Sequence, residues 1–374
     1  MSVEIVEVKN HKLLRSFIHL PAKIHASHSN WVPSIYMDDW TYFNPKKNRA
    51  FDHCDTILLL AFRDEKYVGR CMGIISHEYN KEHNENHVRF AYMETWNESD
   101  VFNALITYIA RWGSDHGMDK MVGPLGFSDK DPQGFLIEGY DQPVVIATNC
   151  NFPYMVDLAE GCGFTKKVDC VVYKIPIPEE IPEFYNNIAA RVKQQNNLLR
   201  VLEFTSRRKL KPFIKPVFEL INLTFTDIYG FIAFTEQEMN DFANRYLFLI
   251  DPRYVKVIVT EQDEVVAFVI AMDDISEGIR KSHGYLLPIG FIHLLRAAKK
   301  SHQLNLLLGA INPRFQGKGL DVLMGISLIQ SAKNSGKTTI DSHLELEYNT
   351  KVRAEMEKMG GLVYKRFRIY QKEL

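Results

Sequence analysis

Short apolar runs alternate with polar breaks along this chain, and they recur twice in the same order. The first series opens with "SVEIVEV", which predicts a strand, and a helical stretch over 12–20. "WVPSIYMDDWTYFNPKKNRAF" predicts an aromatic loop. "DTILLLAF" and "VGRCMGIIS" flank the polar "RDEKY" and predict a hairpin. A polar connection, "HEYNKEHNENH", leads to a strand in "VRFAYMETW". Leu105, Ile106, Ile109 and Trp112 then repeat at helical spacing, with Ser99 or Asp100 as the cap. "HGMDKMVGP" predicts a loop and strand, "NFPYMVDLAEGCGF" a short helix and "KKVDCVVYKIPI" a closing strand.

The second series follows the proline-rich, charged segment 176–183, the best linker candidate. "LRVLEF" predicts a strand, "KPFIKPVFELINLTF" a helix and "VKVIVTEQDEVVAFVIAMDD" a hairpin. "LNLLLGAINP" predicts a strand and "GKGLDVLMGISLIQSAKNSG" a helix ending at Gly336. "KTTIDSHLELEYN", "TKVRAEMEKMGG" and "LVYKRFRIYQKEL" predict a strand, a short helix and a last strand. This is an α/β alternation with a mixed sheet and helices on both faces, twice over. The expected domains are residues 1–178 and 184–374.

Composition narrows this little. The 374 residues suit two domains, and 46% hydrophobic with 24% charged residues suits a soluble globular chain. Lys and Arg number 45 against 46 Asp and Glu, so no basic excess points to nucleic acid or to an anionic membrane surface. No apolar run reaches the ~18–20 residues needed to span a bilayer. The longest, "GYLLPIGFIHLLRAAKK", carries Pro288, His293 and Arg296. The acidic start is not a signal peptide, and five cysteines without a CxxC pair suit reduced thiols. The expectation is a cytoplasmic protein with no nucleic-acid or membrane partner, of unknown oligomeric state.

Two glycine-lysine stretches raise the question of phosphate binding. "NSGKTT" lacks the first glycine of a P-loop, since Ser331 stands there, and it lies where a helix gives way to a strand. Gly336 suits a helix end instead. "INPRFQGKGLDVLMG", residues 311–325, has the opposite context: a strand runs into Asn312 and a helix begins near Gly319. Its glycines permit unusual backbone angles and close approach of a ligand. The free N–H groups of a first helical turn attract anions, and Lys318 adds charge.

From 312 to 374 the sequence resembles the C-terminal half of a GNAT acyltransferase domain. Gln316 and Gly319 match the Q/R-x-x-G-x-G/A loop, Asn349 the family's asparagine after the next strand, and Gly360 its late glycine. The resemblance implies two tandem GNAT-like domains, with acetyl-CoA or another acyl-CoA as donor substrate and no metal. Its pyrophosphate would lie on Gln316, Gly317, Lys318, Gly319 and Leu320, and its acyl arm along Gly309, Ala310 and Ile311. The acceptor would be the amine of a small molecule or peptide.

Two positions depart from the family pattern. Asp321 replaces the last Gly/Ala, and a carboxylate there repels a pyrophosphate. Met356 stands where many members carry a proton-donating tyrosine, and a thioether donates no proton. They favour one alternative to an N-acetyltransferase, an inactive acyl-CoA binder; the other, a long-chain acyl or aminoacyl transferase, follows from the resemblance to tandem GNAT-like folds with one working site. The first half has "ETWNESD" where its phosphate loop belongs, a good helix start and a poor anion site. It is a degenerate copy that shapes the acceptor side.

For a base, strand alternation puts Asp341, His343, Glu345 and Glu347 on one side. Glu347, nearest the strand end, is the catalytic candidate together with Asn349, which also suits a turn and cap. Tyr364 and Tyr370 are substitutes for the missing donor. His77, His83 and His87 stand among acids in a segment that predicts a loop, so no metal is expected. The aromatic loop with Trp31, Tyr36, Trp40, Tyr42 and Phe43 suits sealing of the core better than a substrate cleft.

Overall fold

The computed structural model describes residues 2–195 and 198–374. The first half runs β1 (Glu4–Glu7), α1 (His11–Ile24), α2 (Tyr36–Tyr42), β2 (Cys54–Arg63), β3 (Lys66–Ser76), α3 (His77–His83), β4 (His87–Thr95), α4 (Ser99–Asp115), β5 (Lys120–Gly123), β6 (Phe135–Glu138), α5 (Tyr154–Gly161) and β7 (Thr165–Pro176). Helix α6 (Glu183–Gln195) leads to the second half. That half has β8 (Arg200–Glu203), α7 (Arg207–Leu210), α8 (Ile214–Thr224), α9 (Glu236–Tyr246), β9 (Val255–Val259), β10 (Val265–Asp273), α10 (Ser276–Lys281) and α11 (Gly290–Lys300). It closes with β11 (Gln303–Ile311), α12 (Leu320–Asn334), β12 (Thr339–Asp341), β13 (Glu345–Leu346), α13 (Thr350–Lys358) and β14 (Leu362–Glu373).

Local chemistry explains most of these elements. Asp64 and Glu65 both take positive φ, the two-residue turn whose twist matches the β2–β3 hairpin. Gly336, at φ +73°, ends α12 as expected. Short polar elements escaped the apolar pattern. Helix α3 forms where a loop was expected, because Glu78, Lys81 and Glu82 favour helix and Asn84 ends it in the left-handed conformation. Helix α2 forms within the aromatic stretch, α6 beyond the proline-rich segment, and α4 is capped at Glu98, one residue early.

The strands form one sheet, ordered β1-β2-β3-β4-β5-β14-β7-β12-β11-β10-β9-β8, with β6 on β14 and β13 on β7. The halves exchange their last strands. β14 pairs along one edge with β5 and β6 of the first half, β7 pairs along one edge with β12 and β13 of the second, and β14 and β7 pair with each other. The cores follow the exchange. Tyr370 of β14 packs with Phe90, Leu105 and Ile109 of the first half. Val171, Tyr173 and Ile175 of β7 pack with Leu320, Leu323 and Leu328 of α12. On the other face of the second half, Phe218 and Ile221 of α8 cover Val257 and Phe268.

Candidate active site

Strands β11 and β12 are parallel and pair only at Gln303–Thr339, Leu304–Ile340 and Asn305–Asp341. Beyond Asn305 they part, while β11 continues along β10 to Ile311. One edge of β11 is therefore left open from 306 to 311. The Asn312 N–H donates to Val266 on β10. By the alternation of a strand, the amides of Gly309 and Ile311 turn the other way, into the gap, and that of Ala310 turns toward β10.

The loop after β11 is shaped by its own side chains. Asn312 Oδ1 accepts from the Arg314 N–H at 3.0 Å, and Gln316 Nε2 donates to the Ile311 carbonyl at 3.2 Å. Gly317 and Gly319 take φ +71° and +77°, which other residues adopt at a cost. Gly319 is doubly required, because a Cβ there would stand 2.6 Å from Val192 of α6. Among the described residues, the amides of Gly317, Lys318 and Gly319 donate to no backbone carbonyl. They join the free first-turn amides of α12, beginning at Leu320, to make an anion cradle. Lys318 is exposed beside it, its ammonium 4.8 Å from the Phe315 ring.

A cavity of about 1550 Å³ runs from this loop into the protein, larger than the ~300–1,000 Å³ of most small-ligand sites. Its mouth includes Gln316, Gly317 and Asp321, and its floor Gly309, Ala310 and Ile311. Phe218, Ile221, Phe242, Leu247, Phe268 and Leu308 line the deeper part. The first half contributes Asp39, Tyr42, Arg70, Glu94 and Asp131. Burial lifts the Asp39 carboxyl to about 6.

Glu345 lines the same cavity. Among the described residues its carboxylate has no hydrogen-bond or ion-pair partner, and desolvation raises it to about 8. A carboxyl left unpaired in a cavity and titrating near neutrality suits a general base.

The fold that carries this site has a known counterpart. A tandem GNAT protein from the clavulanic acid biosynthesis pathway superposes with a TM-score of 0.58 at 9% identity, covering 100% of this chain and 98% of that one. This chain has the tandem GNAT fold. A GCN5-related N-acetyltransferase from Sphaerobacter thermophilus superposes with a TM-score of 0.51 at 10% identity, covering 99% and 95%. No protein-family model matches the chain. Along its whole length the sequence is similar to a bacterial ceramide synthase of Caulobacter vibrioides, 28% identical over 383 residues, covering 100% of this chain and 98% of that protein. Protein YghO of Escherichia coli is 23% identical over 368 residues, covering 96% and 93%.

The GNAT fold separates the expected site residues. Gln316, Gly317, Lys318, Gly319 and Leu320 form one loop. Gly309, Ala310 and Ile311 lead into it, with Ala310 facing the cavity by its side chain alone. Glu347 does not line the cavity. It pairs with Lys166 at 2.7 Å and accepts from the Asp169 N–H at 3.1 Å. His343 takes φ +59° and β13 ends at Leu346, which breaks the alternation on which Glu347 was chosen. Asn349 starts α13 and lines the cavity, but its side chain caps no helix amide.

Neither substitute tyrosine reaches the cavity. Tyr364 donates to Asp341, and Tyr370 is buried in the first half, donating to Glu160 at 3.2 Å. Met356 does line it. Tyr42 and Phe43 pack in the core and also line the cavity, and Trp31 lines it as well, so the aromatic stretch does both jobs. Among the described residues no cluster of metal ligands occurs: His77 pairs with Asp55, His87 with Glu85, and His83 stacks on Tyr79. Lys337 of "NSGKTT" is buried against Asp273 and the Ser301 carbonyl. Among the described residues no helix is long and apolar enough to cross a membrane.

Proposed function

We propose that this protein transfers a long acyl chain from coenzyme A to the amine of an acceptor that carries its own apolar tail. The observation behind this is one cavity of about 1550 Å³, mostly apolar, holding both the open edge of β11 and the unpaired carboxyl of Glu345. The donor's pyrophosphate would take the amides from Gly317 to Leu320, with Lys318 beside it. Its thioester oxygen would face the amides of Gly309 or Ile311. Glu345, rather than Glu347, takes a proton from the acceptor ammonium. The freed nitrogen attacks the thioester carbon, the C–N bond forms and the C–S bond breaks; the second proton shed by the nitrogen passes to the departing thiolate, so an amide and the free thiol of coenzyme A result.

The full-length similarity to a protein named ceramide synthase supports this choice over acetyl transfer. A ceramide is the amide of a fatty acid with a long-chain amino alcohol, so both partners are apolar. The donor test is calorimetry with acetyl-, octanoyl- and palmitoyl-CoA. Each buried methylene adds ~0.8 kcal/mol, about fourfold in affinity. Affinity is expected to climb with chain length, and equal binding of acetyl- and palmitoyl-CoA would sink the long-chain reading. Thiol release from palmitoyl-CoA with a long-chain amino alcohol tests the reaction. Tight binding without release would leave an acyl-CoA binder.

A further inference from the structure

The longest apolar stretch in the sequence, "GYLLPIGFIHLLRAAKK", has no part in the site above. It forms α11 and the turn before it. Helix α11 is held firmly: a Cβ on Gly278 of α10 would lie 2.7 Å from the backbone of His293 and Leu294. Leu286 and Leu294 point inward, into a cluster with Met272, Ile275 and Ile279. The outer side is bare. Leu287, Ile289 and Leu295 are 76%, 60% and 51% exposed, and Phe291 and Ile292 are exposed with them. Phe248 extends the patch, 6.1 Å from the Phe291 ring. Single exposed apolar residues need no explanation, but a contiguous patch does.

Charge gives the patch its partner. Residues 275–302 contain five Lys and Arg and one acid, in a chain of net charge −1. That acid, Glu277, pairs with Arg280 and Lys281. Arg296, Lys299 and Lys300 are exposed, with no ion-pair partner among the described residues. Aliphatic side chains beside unpaired cations, with the exposed Tyr285 at the edge, suit a lipid surface better than a protein interface. Behind the patch, Ile279, Leu249 and Ile250 line the cavity.

We propose that the outer face of α11 and the turn before it dock this protein on an anionic lipid bilayer. Leu287, Ile289, Phe291 and Leu295 enter the headgroup boundary, and Arg296, Lys299 and Lys300 meet the phosphates. The expectation of no membrane partner rested on spanning length and whole-chain charge, and neither describes a helix lying in the interface. The proposal stands independently of acyl transfer.

Co-sedimentation of the full chain with vesicles tests it. The protein is expected to bind equimolar phosphatidylglycerol–phosphatidylcholine vesicles, more weakly as salt rises, and phosphatidylcholine vesicles poorly. Leu287→Glu with Ile289→Glu is expected to weaken binding at least tenfold, and Lys299→Ala with Lys300→Ala several-fold at low salt. Phe291→Trp keeps the apolar face, and its fluorescence is expected to shift to the blue on adding vesicles. No binding of the unaltered chain, or no shift of the tryptophan, overturns the proposal. So does a dimer in sedimentation velocity that Leu287→Glu with Ile289→Glu abolishes, since the face would then belong to a second copy.

Discussion

The two halves meet the same structural problem, a pair of parallel strands that part, and solve it differently. In the first half β4 and β5 pair only at His87–Lys120, Val88–Met121 and Arg89–Val122. The gap beyond is closed by the chain itself: the Leu125 N–H donates to the Phe90 carbonyl, and Arg89 Nη1 donates to the carbonyls of Gly126 and Phe127. The turn into α4 is acidic, with Glu98 and Asp100 both paired to Arg63. In the second half the segment after β12 goes the other way. The Ser342 N–H donates to Tyr173 on β7, so the edge of β11 stays open. Its turn carries two glycines at positive φ and free amides. One topology thus gives a sealed structural unit and an open site, and the difference lies in a few residues on either side of the gap.

The largest test of that comparison is to cut it. Each half holds a strand of the other, so neither residues 1–178 nor 184–374 completes its own sheet. Each fragment expressed alone is expected to be unfolded by circular dichroism, and the two together to recover the native spectrum. A fragment that melts cooperatively alone would show that the exchanged strands are dispensable.

The next effect falls on Glu345. Glu345→Gln is expected to lower kcat by ~10²–10⁴, the usual worth of a positioned base, with little change in acyl-CoA affinity. The rate of the unaltered protein is expected to rise with pH up to about 8, where Glu345 ionises, and the variant to lose that limb. Retention of full activity would return the role to another group.

The same substitution predicts a change in stability. The folded carboxyl titrates near 8, above its ordinary 4.5, so the folded state holds the proton more tightly. Stability therefore falls as pH rises from 4.5 to 8, and Glu345→Gln removes that fall. The variant is expected to gain ~1–3 kcal/mol at pH 8, discounted for water in the cavity, and nothing near pH 4.5. Thermal melts at the two pH values read it directly.

The element order was legible in the sequence because each apolar run carried its own period and turn residues. The loop at 311–325 was legible for the same reason, since strand, glycines and helix follow one another without a break. Glu345 was not, because choosing between it and Glu347 needs the left-handed turn at His343, a non-glycine position with no local signal. The strand exchange was hidden as well. β7 and β14 are apolar enough to fill either slot, and their partners lie some 170 and 250 residues away in the chain, at β12 and β5. The outer face of α11 was visible as an apolar run, but which of its sides faces solvent is set by the packing of Gly278.

Smaller effects come from exchanging the chemistry of the two turns. Gly317→Asp puts into the second turn the kind of residue the first one carries. A Cβ there meets nothing within 4 Å, and Asp tolerates φ +71° better than most residues. The fold is expected to survive, and coenzyme A affinity to fall ~10–100-fold through lost amide contacts and charge repulsion. Glu98→Ala with Asp100→Ala is expected to leave that affinity unchanged and to cost less than ~1 kcal/mol per Arg63 pair.

The smallest effect separates charge from geometry in the cradle. Lys318 is exposed, so its attraction to a phosphate is screened and worth ~0.5–1 kcal/mol. Its contact with the Phe315 ring adds a similar amount to the loop's order. Lys318→Ala is expected to weaken coenzyme A binding about two- to fivefold at low salt, and less as salt rises. Lys318→Arg is expected to bind as the parent does. If Lys318→Ala lost as much as Gly317→Asp, the anion would be held by the ammonium and not by the amides of Gly317 to Leu320. The contrast between the halves would then rest on one lysine rather than on the glycine-shaped turn.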